Sequence, residues 1–68
     1  MQTIDRPLDL LNEIKVDEKR VSVEMKGNKE PILGKICAFD IHINLVIKTD
    51  KGMKFVRGGV IETISPAD

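Results

Sequence analysis

The 68-residue sequence lacks tryptophan and tyrosine and contains only two phenylalanines, one histidine and one cysteine. It also lacks an excess of either charge, because eleven lysines and arginines balance eleven aspartates and glutamates. Nucleic-acid-binding domains usually carry a basic patch together with aromatic rings on which bases stack. Composition alone therefore argues against nucleic-acid binding, and only the order of the residues can reverse that argument.

Long apolar stretches are missing as well. No run approaches the ~20 residues that a membrane-spanning helix requires, and the first residues do not form the apolar core of a signal peptide. The single cysteine, Cys37, can form neither an intrachain disulfide nor a zinc site by itself. We therefore expect a reduced, cytoplasmic protein with no membrane partner. A chain this short buries only ~60% of its extended surface, so self-association is expected to stabilise it.

Sequence patterns typical of catalysis are absent. There is no Ser–His–Asp arrangement and no metal-ligand spacing, and Gly58-Gly59 lacks the Lys and Ser or Thr of a phosphate-binding loop. Nothing near the single histidine, His42, resembles a nucleophile with a base. We predict that the protein is not an enzyme and has no metal, cofactor or small-molecule substrate.

The spacing of apolar residues predicts one short helix followed by five strands. Pro7 suits a first helical turn, and Asp5 before it is a plausible N-cap. Leu8 and Leu11 then repeat at helical spacing, so the helix is predicted over about residues 6–14. From residue 20, apolar and polar residues alternate with the period of a half-buried strand. The predicted strands cover residues 20–26, 29–39, 41–47, 53–56 and 60–64.

Glycine and proline indicate where these strands turn or bend. Gly27-Asn28 predicts a tight hairpin turn, residues 49–52 predict another turn, and Ser65-Pro66 is expected to end the last strand. Pro31 indicates a sheet edge or a bulge, and Gly34 a sharp bend or a close backbone approach. The pattern predicts a mainly β single domain over residues 1–68, a short N-terminal helix followed by a strongly bent, open five-stranded β-barrel.

The last two predicted strands would be the edges of such an open barrel. They are short, apolar and barely charged, and exposed edges of this kind pair with other chains. When one edge pairs with the opposite edge of the next copy, the assembly closes into a ring if the rotation permits. The alternative is a monomer with frayed edges.

Flat and polar side chains occur at two of the predicted turns. His42 and Asn44 lie two apart on a predicted strand, so we expect them on the same face. The amide of Asn44 can pair with the edge of a base, and the planar guanidinium of Arg57 can stack on one. Gly58 and Gly59 would let backbone N–H groups approach a ligand closely.

Each of these residues also has an ordinary structural interpretation. His42 and Asn44 can simply be solvated on the polar face of a strand. Arg57 before two glycines can be a turn residue with an extended aliphatic stem. Asp40, at the junction before the third strand, can be a turn former that caps backbone N–H groups. The pattern by itself leaves both interpretations open.

Two sequence motifs resemble those of the Sm and Sm-like (LSm) family. Residues 21–47 are similar to the first motif, with Gly34 and then Phe39-Asp40-x-His42-x-Asn44-Leu45-Val46-Ile47, and residues 54–64 are similar to the second, with Arg57-Gly58-Gly59. Residues 6–11 are similar to the start of archaeal members, and the Arg-Gly form of the second motif resembles the archaeal and eukaryotic branch. The family commonly has Asp, Asn or Ser where this chain has Gly59, and Met or Leu where it has Ile43.

This resemblance implies a fold, an assembly and a ligand. The Sm fold is an N-terminal helix on a small five-stranded barrel, and members form rings in which the fourth strand of one subunit pairs with the fifth strand of the next. The turns that carry the two motifs line the pore and bind single-stranded, uridine-rich RNA. By this resemblance His42 and Arg57 would stack on a base, Asn44 would bind the uracil edge and Gly58 would offer a backbone contact.

Supporting roles follow in the same way. Asp40 would hold Asn44 and its turn, Gly59 would belong to the second turn, and Arg6 would contribute to a secondary RNA site on the helix-bearing face. The expected assembly is a homo-oligomeric ring that acts as a scaffold or chaperone in RNA processing or turnover. A heptamer is favoured, and a hexamer or an octamer stays open. In a ring the charge around the pore counts for more than the net charge of one chain.

Two alternatives remain from the sequence. The chain could form a structural or protein-interaction ring that has kept the fold with a weakened RNA site, which the side-chain-free Gly59 and the scarcity of aromatic residues favour. It could also be one subunit of a mixed Sm-like ring.

Overall fold

The computed structural model describes residues 7–27 and 30–67. The predicted N-cap Asp5, the candidate RNA-site residue Arg6 and the turn residue Asn28 lie outside these ranges. The elements, in chain order, are α1 (Pro7–Val16), β1 (Arg20–Met25), β2 (Ile32–Phe39), β3 (Leu45–Thr49), β4 (Gly52–Val56), a 3₁₀ turn (Gly58–Val60) and β5 (Ile61–Pro66). The helix begins at Pro7 and extends two residues beyond the predicted end.

The strands form one antiparallel sheet in the order β4-β3-β2-β1-β5, so β4 and β5 are the edges, as predicted. The register of the β2–β3 pair shifts between Ile36 and Ala38, and that of the β1–β5 pair between Glu24 and Met25. Such irregularities increase the local twist and bend a sheet. The mainly β fold, a short helix followed by a bent five-stranded sheet, is confirmed.

The core lies between the helix and one face of the sheet. Its buried side chains are Leu11 of α1 and Val21, Val23, Ile36, Leu45, Ile47 and Val56 of the strands. Gly34 of β2 lies close to the neighbouring strand β3: a Cβ at this position would lie 2.8 Å from Cγ2 of Ile47 and would overlap the carbonyl oxygen of Lys48. The close backbone approach predicted at Gly34 is therefore confirmed.

Three of the predicted strands have boundaries that differ from the structure by more than one residue. Strand β2 begins at Ile32, after Pro31 rather than through it, because proline has no N–H for the ladder. Strand β3 begins at Leu45 instead of Ile41, because the preceding residues form a loop. Strand β5 begins at Ile61 and continues through Ser65 to Pro66, because a strand at the sheet edge tolerates proline.

The helix ends in a Schellman motif with an unusual residue at its left-handed position. The Lys19 N–H donates to the Ile14 carbonyl oxygen at 3.1 Å, and the Glu18 N–H donates to the Lys15 carbonyl oxygen at 3.1 Å. Glu18 has φ 56°, a conformation that glycine usually occupies at this position because a Cβ is strained there. The helix terminus is thus satisfied at the expense of backbone strain.

Replacing this residue tests that strain. Glu18→Gly is expected to raise the free energy of unfolding by about 0.5–1 kcal/mol, since relief of the left-handed strain exceeds the extra chain entropy of glycine. The lost contact to Lys35 adds little, because the two charged atoms are 4.0 Å apart and both side chains are largely exposed. Urea denaturation measures the change. Glu18→Gln, which removes the charge but keeps the Cβ, is the control, and equal stability of the two variants would contradict the strain argument.

Candidate functional site

Two turns meet at one end of the sheet. The first, residues 40–44, connects β2 to β3, and the second begins at Arg57 and connects β4 to β5. They are brought together because Leu45, the first residue of β3, pairs with Val56, the last residue of β4. The two sequence stretches that carry the candidate site are therefore adjacent in space.

The carboxylate of Asp40 organises the first turn. Its Oδ1 accepts hydrogen bonds from the backbone N–H groups of His42 at 2.8 Å and Asn44 at 3.1 Å. Its Oδ2 accepts a hydrogen bond from the side-chain Nδ2 of Asn44 at 3.0 Å. One side chain thus satisfies two backbone donors that a strand would otherwise place in the ladder, which is why residues 41–44 do not continue β3.

These hydrogen bonds also keep Asp40 ionised. The side-chain and backbone hydrogen bonds from Asn44 lower the pKa of Asp40 below its ordinary value, and the bond from the His42 N–H acts in the same direction. Because this pKa is lowered in the folded protein, the carboxylate stabilises the turn above the ordinary pKa of aspartate. That stabilisation is lost as the pH falls through the lowered value.

Asn44 joins the first turn to the second. Its Oδ1 accepts a hydrogen bond from the Gly58 backbone N–H at 2.7 Å, in a partly buried position, while its Nδ2 donates to Asp40. The expectation that His42 and Asn44 emerge side by side from a strand is wrong, since both lie in the loop that precedes β3. Asn44 is half-buried between the turns, and His42 is exposed.

Ile43 has a strained backbone within the same turn. Its φ is 62°, in the left-handed region that β-branched residues rarely adopt, and this conformation costs about 1–2 kcal/mol. The side chain is half-buried and packs against the core, and the Ile43 N–H donates to the Asp40 carbonyl oxygen at 3.0 Å. Neither the strain nor the Asn44–Gly58 bond is marked in the sequence. The only local signal is the tight cluster of polar residues around Ile43.

The two glycines of the second turn have different surroundings. A Cβ at Gly58 would overlap the His42 carbonyl oxygen and would lie 3.0 Å from the Ile43 carbonyl carbon. A Cβ at Gly59 would meet no atom within 4 Å. Gly58 is therefore required for the two turns to touch, whereas Gly59 leaves open space beside them.

Arg57 precedes these glycines in extended backbone, with φ −77° and ψ 137°, and its side chain is exposed. Among residues 7–27 and 30–67 its guanidinium makes no hydrogen bond or ion pair. Two planar groups, the His42 imidazole and the Arg57 guanidinium, thus lie in exposed positions on the two turns that Asn44 joins.

The described ranges hold no group of three His, Cys, Asp or Glu side chains that could bind a metal ion. Within the same ranges, no helix has the length and apolarity needed to cross a membrane.

Substitutions at the two glycines test the contact between the turns. Gly58→Ala is expected to lower the free energy of unfolding by about 1–3 kcal/mol, because the new methyl group would overlap the backbone of the first turn. Gly59→Ala is the matched control and should change stability by less than about 0.5 kcal/mol. Urea denaturation of both variants makes the comparison. Equal effects would show that the turns do not touch at Gly58.

Comparison with solved structures reveals close similarity to archaeal Sm proteins. A SmAP (LSm) protein from Methanococcus vannielii has 30% sequence identity and a TM-score of 0.75, with 96% of this chain and 99% of that chain covered. The Sm protein of Pyrococcus abyssii, solved in complex with a uridine heptamer, has 28% identity and a TM-score of 0.76, with 93% and 100% covered. The SmAP1 heptamer of P. aerophilum has 26% identity and a TM-score of 0.74, with 100% and 97% covered.

No protein-family model and no curated protein sequence matches the chain. The family is instead established by the Methanococcus vannielii protein, whose similarity extends over nearly the whole of both chains. On this ground, together with the helix, the bent five-stranded sheet and the two turns described above, the chain belongs to the Sm and Sm-like (LSm) protein family.

Proposed function

We propose that this protein forms a ring that binds single-stranded, uridine-rich RNA at its pore. The observation that supports this best is the Asn44 side chain, which bonds to Asp40 in one turn and to Gly58 in the other. His42 and Arg57 are exposed on the same two turns. A fixed amide beside two planar side chains is suited to a nucleobase, which has flat faces and a hydrogen-bonding edge.

The hydrogen bonds of Asn44 suggest how uracil would be selected. The Nδ2 group has two hydrogens, and the Asp40 carboxylate accepts one of them. The second can be donated to a carbonyl oxygen. At the position where uracil has its O4 acceptor, as in thymine, cytosine has an amino donor that would oppose the Asn44 N–H. The fixed orientation of this amide would therefore favour uridine over cytidine.

Stacking would supply the rest of the affinity. The Arg57 guanidinium remains charged and planar at any relevant pH, and the imidazole of His42 offers a second flat surface. Gly58 would lie next to the base and Gly59 would contribute no side chain. Because the chain has no net charge, binding to duplex or random nucleic acid is expected to be weak, and selectivity would arise at the pore.

The two sheet edges favour assembly. Strands β4 and β5 are each paired on one side only, and β4 exposes Met53 and Phe55, with 60% and 85% of their surface accessible. Pairing of β4 in one copy with β5 in the next would satisfy both backbone edges and cover these side chains. The related P. aerophilum structure is a heptamer, and seven copies are therefore the expected ring size.

In the cell such a ring would act without catalysis. It would hold uridine-rich single strands as a cytoplasmic scaffold or chaperone during RNA processing or turnover. The uridine heptamer bound by the related Pyrococcus abyssii protein supports this ligand class.

Binding of fluorescent oligo-uridine and oligo-cytidine tests the proposed site. Wild type should prefer uridine, and Asn44→Ala should narrow that preference because the fixed amide is removed. Arg57→Ala should weaken binding by about 1–3 kcal/mol for each stacked base. Arg57→Lys, which keeps the charge but not the planar group, separates stacking from electrostatics. Fluorescence anisotropy at moderate salt measures the affinities.

The control uses Lys51, an exposed lysine in the turn at the opposite end of the β3–β4 pair. Lys51→Ala should leave the uridine preference unchanged. Equal affinity of the wild type for uridine and cytidine would overturn the uridine assignment, and an Arg57→Ala variant with wild-type affinity would favour a ring that lacks this RNA site.

Native mass spectrometry tests the ring. Wild type should give a single closed assembly of seven copies that binds one oligo-uridine strand. Phe55→Glu, on the exposed edge strand, should weaken the assembly because a charge would be buried between copies. Leu33→Glu is a matched control on β2, inside the sheet, where 47% of the side chain is exposed. A wild-type protein that is monomeric at micromolar concentration would contradict the proposal.

A further inference from the structure

A groove of about 500 Å³ lies at the end of the β2–β3 hairpin away from the two turns. Its walls come from the C-terminal end of α1, the first residue of β1, the middle of β2 and the end of β3. The charged side chains that line it are Lys15, Glu18, Arg20, Lys35, Lys48 and Asp50.

The sheet register places three of these cations in a row. Arg20 of β1 is directly opposite Lys35 of β2, and Lys35 is directly opposite Lys48 of β3. Residues directly opposite in adjacent strands share one face of a sheet, and like charges in such pairs are destabilising. The row therefore acts against folding, and features of this kind occur where a protein has a function to serve.

Nearby carboxylates compensate this charge only in part. The Nζ of Lys35 is 4.0 Å from Oε1 of Glu18, and both side chains are largely exposed, so the pair is weak. Within residues 7–27 and 30–67, Lys15, Arg20 and Lys48 form no ion pair. Four cations and two carboxylates line the groove, which gives it positive charge in a chain whose net charge is zero.

We infer that this groove binds phosphate groups, and that its occupant is the backbone of single-stranded RNA. A guanidinium flanked by two ammonium groups matches the charge of phosphate and its several acceptor oxygens. The lining contains no aromatic ring on which a base could stack, so contact is with the backbone and independent of base sequence. The groove is separate from the turns of the proposed pore site, so either site can exist without the other.

The salt dependence of RNA binding tests this inference. Oligo-uridine and oligo-cytidine are titrated against wild type and Lys35→Gln/Lys48→Gln between 50 and 200 mM salt. Loss of two phosphate contacts should lower the slope of log affinity against log salt by about 1.4 for both RNAs, because each contact with a single strand contributes about 0.7. The advantage of wild type over the variant should then shrink about sevenfold across this range.

A matched double variant controls for the change in net charge. Lys26→Gln/Lys51→Gln removes the same two charges from exposed positions outside the groove and should leave the slope as in wild type. The groove variant should also unfold no earlier than wild type, since repulsion between strands is removed. Equal slopes for the two double variants would overturn the inference. Equal affinity of wild type for the two RNAs would count against the uridine site alone.

A substitution that removes a negative charge, and should therefore increase the affinity for RNA, strengthens the test. Glu18→Gln removes a carboxylate that lines the groove and repels phosphate, and it should increase affinity for both RNAs severalfold. Glu13→Gln, on the exposed surface of α1, should not. Tighter binding with Glu13→Gln and not with Glu18→Gln would contradict a phosphate site in the groove.

NMR titrations distinguish the sources of the phosphate. Oligo-cytidine should shift the backbone amide signals of Lys35, Lys48 and Thr49 at concentrations at which inorganic phosphate or uridine monophosphate has little effect. If inorganic phosphate or uridine monophosphate shifted these signals as strongly as oligo-cytidine does, the occupant of the groove would be a small phosphate-bearing ligand and not RNA. Equally strong binding of an oligo-glutamate peptide, lost in Lys35→Gln/Lys48→Gln, would overturn the assignment in favour of an acidic protein partner.

Discussion

The hydrogen bond from the Gly58 backbone to the Asn44 side chain is the contact on which the candidate site depends. It fixes the amide between two turns that are far apart in sequence, and it forms only because Gly58 has no side chain to separate them. The Asp40 carboxylate completes the arrangement by holding the opposite end of the same amide and the backbone before it. The left-handed Ile43 is the strained conformation that this tight turn requires.

Positively charged side chains are clustered at particular places on the sheet, although the net charge of the chain is zero. A chain of zero net charge exposes Arg57 at one end of the sheet and carries a row of cations across three strands at the other. The register of the strands creates that row, since the three cations are spread from residue 20 to residue 48. The net charge of the chain therefore does not indicate where an anion can bind. The pairing of the strands determines where positively charged side chains cluster.

The sequence predicted much of the fold because its periodicities are clear. The helix at Pro7, the edge position of the last two strands and the close approach at Gly34 follow from hydrophobic spacing, proline chemistry and the missing glycine side chain. Strand ends were predicted less well. Hydrophobic alternation through Ile41 and Ile43 favoured a strand, but hydrogen bonds from Asp40 satisfied the local backbone in another way.

The sequence by itself determined the class of fold, the family resemblance and the set of residues in the candidate site, because these depend on residue types and their spacing. Only the tertiary structure decided what those residues do to one another. In the structure Asn44 does not face outward from a strand but joins the two turns by a hydrogen bond to Gly58. The contact between the turns requires glycine at position 58, whereas position 59 has open space beside it. The strands also bring Arg20, Lys35 and Lys48 together in one groove. The physical reason is that contacts between distant residues are set by strand register and turn closure, which local periodicity does not encode.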